Sequence, residues 1–237
     1  MKNLKIFLSA LILVVIATSC TYAQKGVITN KTFPIQSFSS IKSDVVANVI
    51  YTQSNKVSVR AEGDKERVDN LDVTVKKDVL KIDHKGKLNS KNKKKLTIYI
   101  SSPSINEIDV DGVGNWSMEG EVKTDNLKIN FDGVGNFEAL ELESNNIKAN
   151  YEGVGNLKLG GTTNFVEITS EGVGSVNTQN LIAKNAVIIS SGVGSVKCYA
   201  SESIDLNNTG VGSVTYYGNP TVKNMKNSGI GKIKQGN

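Results

Sequence analysis

The second half of the chain alternates hydrophobic and polar residues in segments about 20 residues apart. In most of these segments, polar residues stand on both sides of a central hydrophobic residue. The central hydrophobic residues are Ile108, Ile129, Ala149, Ile168, Ile188, Leu206 and Met225. Alternation with a period of two is typical of β-strands that bury one face. The pattern therefore predicts one such strand in each segment.

A short glycine motif follows each predicted strand. It reads Gly-Val-Gly or Gly-Ile-Gly followed by Asn, Ser or Lys, and it occurs seven times at intervals of 21, 20, 19, 20, 18 and 19 residues. The first glycines are Gly112, Gly133, Gly153, Gly172, Gly192, Gly210 and Gly229. Because glycine allows positive φ and close backbone approach, we predict a structural corner at each of them.

Two more hydrophobic columns lie at and after the corner. The residue between the two glycines is Val in six copies and Ile in the seventh, and a large hydrophobic residue follows three positions later. This second column begins with Trp116 and Phe137, for which we predict an inward stack rather than a sugar-binding platform. We also predict that the valines beside the glycines join into one dry column. Cys198 is expected to face inward as a filler of the core.

The repeat predicts the fold class. A unit of about 20 residues without helical periodicity cannot bury its own apolar face, so neighbouring units must stack on a shared core. Crossovers between parallel strands are right-handed. We therefore predict an all-β protein, a right-handed single-stranded parallel β-helix (β-solenoid) with about seven glycine-cornered coils of 18 to 21 residues.

Residues 24–104 lack the motif and form a β-rich N-terminal part. Strand-like runs are predicted at Val45–Tyr51, Val57–Ala61, Leu71–Val75, Val79–His84 and Leu96–Ile100. Lys76-Lys77-Asp78 between two of these runs indicates a tight hairpin. Terminal repeats of solenoids are usually atypical because they cap an open core. We interpret this part as irregular early coils or a β-cap, continuous with the repeat at 105–237 in a single domain.

Residues 1–23 have the pattern of a secretory signal peptide. Lys2 and Lys5 precede an apolar run from Ile6 to Ile16, and small residues follow. Cleavage after Ala23 is one possibility. Alternatively, the sequence that ends at Cys20 resembles a lipobox, in which Cys20 would be lipidated. Both routes predict export to the periplasm, the outer-membrane surface or the medium, with membrane contact only through a lipid on Cys20.

The net charge and the amino-acid composition exclude several classes of function. The formal net charge is +5, and removal of two signal-peptide lysines leaves +3, which is too little to indicate nucleic-acid binding. His84 is the single histidine, and Arg60 and Arg67 are the two arginines. Because no catalytic triad or metal-ligand set can be assembled around one histidine, we predict a non-enzymatic protein without a cofactor or resident metal.

Two charged groups are candidate binding residues. The first is an acidic column just before the corners, formed by Asp111, Asp132, Glu152 and Glu171. Such a ladder could hold a hard cation through oxygen ligands, although a solvated strand face is the more common arrangement. The second is a lysine run that includes Lys91, Lys93, Lys94 and Lys95. It could contact a polyanion, but lysines also protect sheet edges from pairing.

These features together resemble a known family. An early Phe-x-x-Ile segment (Phe38 to Ile41), a β-rich N-terminal part and glycine corners every 20 residues are similar to the head GIN domain proteins, an auto-transporter adhesin family of Bacteroidetes. The likeness covers about Phe33 to Ile233. It implies a β-helix at the envelope or cell surface and transfers no catalytic residues. The flat sides of a solenoid suit extended partners, so a glycan, a matrix protein or another envelope component is the expected partner.

We therefore expect an exported adhesin or ligand-binding module. Two alternatives stay open at this point. One is a polysaccharide-processing enzyme that uses the acidic column. The other is a structural envelope module whose copies associate by stacking end on end.

Overall fold

The computed structural model describes residues 28–86 and 95–237. Strands make up about 70% of the described residues and helix about 2%, and stacked parallel coils form a β-solenoid of about six turns. The predicted all-β solenoid is thus confirmed. The signal peptide at 1–23, Cys20 and the lysines Lys91, Lys93 and Lys94 lie outside the described residues.

Eighteen strands and one short helix are defined among the described residues. The N-terminal elements are β1 (Ile28–Phe33), β2 (Ser40–Ser43), β3 (Asn48–Gln53), β4 (Ser58–Asp64), α1 (Lys65–Asp69), β5 (Leu71–Lys76), β6 (Val79–His84) and β7 (Leu96–Ser102). The repeat contains β8 (Glu107–Val110), β9 (Trp116–Met118), β10 (Val122–Phe131), β11 (Val134–Tyr151), β12 (Val154–Ser170), β13 (Val173–Ser190), β14 (Val196–Tyr199), β15 (Ser203–Asn208), β16 (Val214–Tyr217), β17 (Thr221–Asn227) and β18 (Ile233–Gln235).

Successive coils stack in parallel with equivalent residues in register. Ile129 of β10 pairs with Ile108 on one side and with Ala149 on the other, and Ala149 pairs with Ile168. The column predicted from the alternation is buried along the stack, except for Met225, which is 45% exposed in the last coil. Because no described coil covers β17, its apolar side chains face solvent.

The interior of the solenoid is filled by side chains that vary in size from coil to coil. Trp116 and Phe137 stack with ring centroids 6.3 Å apart, which confirms the predicted inward stack. Phe131 and Tyr151 form a second stack at 5.9 Å, and the Tyr151 hydroxyl donates a hydrogen bond to a backbone carbonyl of a later coil. Ser170 then takes the next place in that column. Large rings of one coil therefore fill the space beside small residues of the next.

The N-terminal part combines coils and an antiparallel cap. β2 pairs in parallel with β8 and β6, and β3 pairs in parallel with β9 and β7. β4 pairs antiparallel with β1 and β7, and β5 with β6. Lys77 and Asp78 both have positive φ between β5 and β6, so the predicted tight hairpin is confirmed. The sequence reading missed β1, β2 and α1.

Within residues 28–86 and 95–237, no helix has the length and hydrophobicity needed to cross a membrane.

Candidate functional site

The corners of the coils form a continuous strip on the outside of the solenoid, which we call the corner face. Its central column pairs coil by coil through eight aliphatic residues: Val46, Val113, Val134, Val154, Val173, Val193, Val211 and Ile230. The six valines from 113 to 211 are 47–52% exposed, and Ile230 is 74% exposed. The prediction that these valines join a dry interior column is therefore wrong. They form an exposed aliphatic ladder.

The glycines on either side of each valine allow the coils to approach closely at the corner. A Cβ atom on Gly153 would lie 2.2 Å from the carbonyl oxygen of Gly133, and one on Gly155 would lie 1.8 Å from that of Gly135. Gly155 also has a φ of +138°, which a side chain rarely adopts. The first glycine is thus needed for close approach, and the second for close approach and positive φ.

The ladder has an acidic flank and an amide flank. The acidic flank consists of the predicted column of Asp111, Asp132, Glu152 and Glu171, joined at one end by Asp44; all four predicted acids are exposed. Ser and Thr replace the acids in the last three coils. No three His, Cys, Asp or Glu side chains gather into a potential metal site in the described parts of the chain. The acidic column is therefore one exposed carboxylate per coil.

The amide flank consists of Asn48, Asn115, Asn136 and Asn156, and it continues as Ser175, Ser195 and Ser213 before it ends at Lys232. Asn156 donates to the side-chain oxygen of Asn136 at 2.8 Å, and Asn136 donates to that of Asn115 at 3.1 Å. Each link uses only one of the two N–H groups of an Asn amide. The corner face is therefore aliphatic along its centre, with carboxylate acceptors on one side and amide donors on the other.

Two side chains of the cap bind the backbone of the first coil at the corner face. The Val46 N–H donates to Nε2 of His84 at 3.2 Å, and Arg67 donates to the Val46 carbonyl oxygen. A cavity of about 400 Å³ here brings His84 beside Asp44 and Asp111. The sequence analysis placed His84 beside the lysine run and did not predict its hydrogen bond with Val46. Because Nε2 is occupied and Nδ1 is buried, neither nitrogen is available to a substrate.

A second surface is a polar groove that runs across five coils. Its volume is about 740 Å³. Its floor is a column nine residues before the first glycine, formed by Thr124, Ser144, Thr163, Ala183 and Ser201. One rim contains Lys123, Glu143, Thr162 and Ile182, and the other contains Asp125, Asn145, Asn164 and Lys184. The sequence reading missed this groove, although its floor column was visible as small residues at a constant distance from each corner.

Hydrogen bonds fix the groove in place. Ser144 donates to the carbonyl oxygen of Asn146 at 3.0 Å, and Thr163 donates to that of Phe165 at 3.0 Å. Along the second rim, Asn145 donates to Asp125 at 3.0 Å and Asn164 donates to Asn145 at 2.8 Å. The floor hydroxyls thus satisfy the backbone at the bend, while the rim presents donors and acceptors to solvent.

Of Lys91, Lys93, Lys94 and Lys95, only Lys95 belongs to the described residues, and it is exposed immediately before β7. The contribution of the run to binding stays a prediction. Cys198 is fully buried, and burial raises the pKa of its thiol to about 12. Its inward orientation therefore agrees with the prediction of a core filler.

A rigid parallel β-solenoid with long exposed flanks is typical of proteins that present a surface to extended partners. A family model described as "Putative auto-transporter adhesin, head GIN domain" matches residues 37–220. The chain belongs to this family, which confirms the resemblance seen in the sequence.

Solved structures agree with this assignment. A protein from Bacteroides fragilis called a "putative adhesin" is 36% identical, with a TM-score of 0.86 over 88% of this chain and 96% of its own. Proteins from Parabacteroides distasonis ("Putative lipid binding protein") and Parabacteroides merdae ("putative adhesin") share the fold. Their identities are 21% and 20% and their TM-scores 0.69 and 0.66, over 90% of this chain and 98% of each of theirs. No curated protein matches the chain significantly.

Proposed function

We propose that this chain is an exported, non-enzymatic surface protein that attaches to glycans through the polar groove. The signal-peptide pattern of residues 1–23 supports export, and membership of an adhesin family supports attachment as the class of function. The observation that carries the proposal is the groove itself, because it is the surface where polar side chains from several coils converge.

The chemistry of the rims suits a polyhydroxyl chain. Lys123 and Lys184 donate, Asp125 and Glu143 accept, and the Asn amides do both. The rims carry two positive and two negative charges, so the groove has no net charge and suits a neutral ligand. From Lys123 to Ser201 the groove crosses four coil spacings, about 19 Å at about 4.8 Å per spacing. An oligosaccharide of several sugar units would fill this length.

A peptide fits the groove less well. β11 and β12, which form the middle of the groove, are paired with a neighbouring coil on both sides, so this part of the groove offers no free edge for an added strand. Ile182 and Ala183 are the apolar residues among its lining side chains. The groove therefore lacks pockets for hydrophobic side chains.

The absence of aromatic residues from the groove lining sets the expected affinity. Without a ring on which a sugar can stack, binding depends on hydrogen bonds exchanged with water, each of which contributes only about 1 kcal/mol. We therefore expect weak binding by one copy and firm attachment by many copies on a surface.

The acidic column does not support the alternative of a polysaccharide-processing enzyme. Its carboxylates stand one per coil on the corner face, away from the residues that line the groove. The single histidine is occupied by the Val46 backbone. Attachment without turnover is the function that this arrangement favours.

Measuring glycan binding by the mature chain and by its Asn145→Ala variant tests the proposal. Asn145 is the middle residue of the groove ladder between Asp125 and Asn164. Asn136→Ala is a matched control, because Asn136 is the middle residue of an equivalent ladder on the corner face. On a panel of bacterial and host glycans, we expect at least one class to be retained, with about tenfold weaker retention for Asn145→Ala and unchanged retention for Asn136→Ala.

Failure of the wild type to retain any glycan would contradict the proposal. Equal losses in both variants would also contradict it, because binding would then not depend on the groove. Retention of unrelated peptides in place of glycans would assign the groove to a protein partner.

A further inference from the structure

We propose that two copies of this chain pair through their corner faces, with their solenoid axes parallel. The proposal rests on the aliphatic ladder and its two flanks, and it is independent of glycan binding in the groove. A continuous column of eight exposed aliphatic side chains is a large apolar feature for a monomer surface, and a second copy of the chain would cover it.

The two flanks make the corner face complementary to itself. A two-fold axis parallel to the stack places one ladder on the other and exchanges the flanks. Each carboxylate then faces a donor of the same coil in the partner. The pairs are Asp44 with Asn48, Asp111 with Asn115, Asp132 with Asn136, Glu152 with Asn156, and Glu171 with Ser175.

The two flanks also change character within one coil of each other, because the amides end at Asn156 and the carboxylates end at Glu171. In the last three coils the acids are replaced by Ser191, Thr209 and Ser228, and the amides by Ser195, Ser213 and Lys232. Hydroxyl groups therefore face hydroxyl groups in the two coils that follow the last carboxylate, and Ser228 faces Lys232 in the final coil. This matched change is what a self-complementary face requires.

The antiparallel arrangement is less favourable. It would reverse one ladder and leave each flank against its own kind, so that Glu152 faces Glu171 near the centre of the interface. Like charges brought together in this way oppose association. The parallel arrangement avoids that contact and places both N-terminal caps at the same end.

Stacking of copies end on end is also disfavoured. The outermost coil carries Lys223, Lys226, Lys232 and Lys234, all exposed. Two such coils facing each other would bring eight lysines together, and lysines are a common means of blocking edge pairing. At the other end, β1, β4 and α1 cover the first coils.

The dimensions of the corner face predict a weak dimer. Seven spacings of about 4.8 Å by four residues of about 3.3 Å give a strip of roughly 34 Å by 13 Å. Two such strips bury on the order of 900 Å², below the roughly 1,200 Å² at which stable specific interfaces begin and in the range of weak, transient complexes. We therefore expect association in the micromolar to submillimolar range rather than an obligate dimer.

Sedimentation of the mature chain from about 10 µM to about 1 mM, concentrations chosen to span this range, tests the association. We expect wild type to shift from monomer to dimer and Val154→Lys to stay monomeric. Leu140→Lys is the matched control, because Leu140 is a 39% exposed aliphatic residue outside the corner face. It should dimerise like wild type. A monomer throughout, or an equal effect of both lysines, would overturn the proposal.

Oxidative cross-linking tests the direction of pairing. In a Cys198→Ala background, Val113→Cys places one thiol far from the middle of the ladder. Parallel axes bring two such thiols together, so a covalent dimer should form, whereas Leu140→Cys should not form one. Antiparallel pairing would keep the 113 thiols apart. Absence of the Val113→Cys dimer would therefore contradict the parallel arrangement.

Other occupants of the ladder give distinct results. If wild type stays monomeric but sediments with phosphatidylcholine vesicles, and Val154→Lys does not, then the face binds lipid and the dimer proposal is wrong. If Met225→Glu in the last coil abolishes the dimer while Val154→Lys leaves it intact, then copies pair through their ends, and the proposal is wrong as well.

Discussion

At the corner of each coil, two glycines carry different constraints. The first has an ordinary φ, and its missing Cβ makes room for the carbonyl oxygen of the coil below. The second has the same contact and also a positive φ, between +138° and +148° in the seven copies. A side chain at the second position therefore meets both a backbone clash and conformational strain.

Gly155→Ala is expected to destabilise the protein strongly. Strain at positive φ costs about 1–3 kcal/mol and overpacking against backbone about 1–3 kcal/mol more, so the loss should be roughly 2–6 kcal/mol. Gly120→Ala is the control, because Gly120 has a φ of +76° and a Cβ added there would have nothing within 4 Å. It should cost about 1–2 kcal/mol.

Urea unfolding of the two variants measures this difference. A similar loss for Gly155→Ala and Gly120→Ala would mean that the coils do not approach at the corner as described.

Among the elements, the first coil is informative because it turns its corner without glycine. Asp44-Val45-Val46-Ala47-Asn48 occupies the place of the later Asp-Gly-Val-Gly-Asn motif and pairs with it through Val46 and Val113. No coil corner lies beneath it among the described residues; His84 and Arg67 contact it instead. Val45 and Ala47 can therefore keep their Cβ atoms, while the glycines of the coil above remain necessary.

His84 makes the stability of this first coil depend on pH. Burial, followed by the charge of Arg67, lowers the pKa of His84 below its usual 6.5, although Asp83 and Asp44 oppose the shift. The unfolded chain therefore takes up a proton at a higher pH than the folded chain does. Stability should be constant above about pH 6.5 and should fall as the pH drops from 6.5 through the lowered pKa.

His84→Gln tests this dependence. Gln keeps an acceptor for the Val46 N–H but does not titrate. In urea titrations at about pH 7.5, 6.5 and 5.5, wild type should lose stability between the last two values, and His84→Gln should not. Equal slopes for the two proteins would show that other groups cause the change.

The strands show which parts of the architecture follow from sequence. The alternation around Ile129 and its equivalents predicted the buried columns, because a strand with one buried face has a period of two. The same rule, continued through the corner, would have placed the valines outside. The valine lies an odd number of positions after the buried residue that stands four positions before the first glycine. The exposed acid and the Asn do so as well, so all three side chains lie on the outer face.

The valine prediction was wrong because hydrophobic character was given more weight than position. An exposed valine is favourable as a strand former at a position where the adjacent glycines supply no side chain. The groove was missed for a related reason. Its floor residues are small and polar, and only the bend of the strands makes them a concave surface.

On the scale of the whole molecule, the solenoid separates two surfaces. The corner face is aliphatic with polar flanks, and the groove is polar with balanced charge. The sequence predicted the stack that carries both, because seven copies at a nearly constant interval require a shared core. It could not predict the groove, because concavity depends on the cross-section of the coil, which periodicity alone does not define.

The direct stacking of the corners is the central claim, and distances between spin labels on the ladder test it. The label pairs join Val113→Cys to Val173→Cys, Val193→Cys or Val211→Cys in a Cys198→Ala background, diluted with unlabelled protein. These pairs span three, four and five coils. Separations should rise by about 4.8 Å per coil, to about 14, 19 and 24 Å between the backbones, with mobile, solvent-exposed labels. Distances that do not increase in this order, or labels immobilised in the core, would contradict the account.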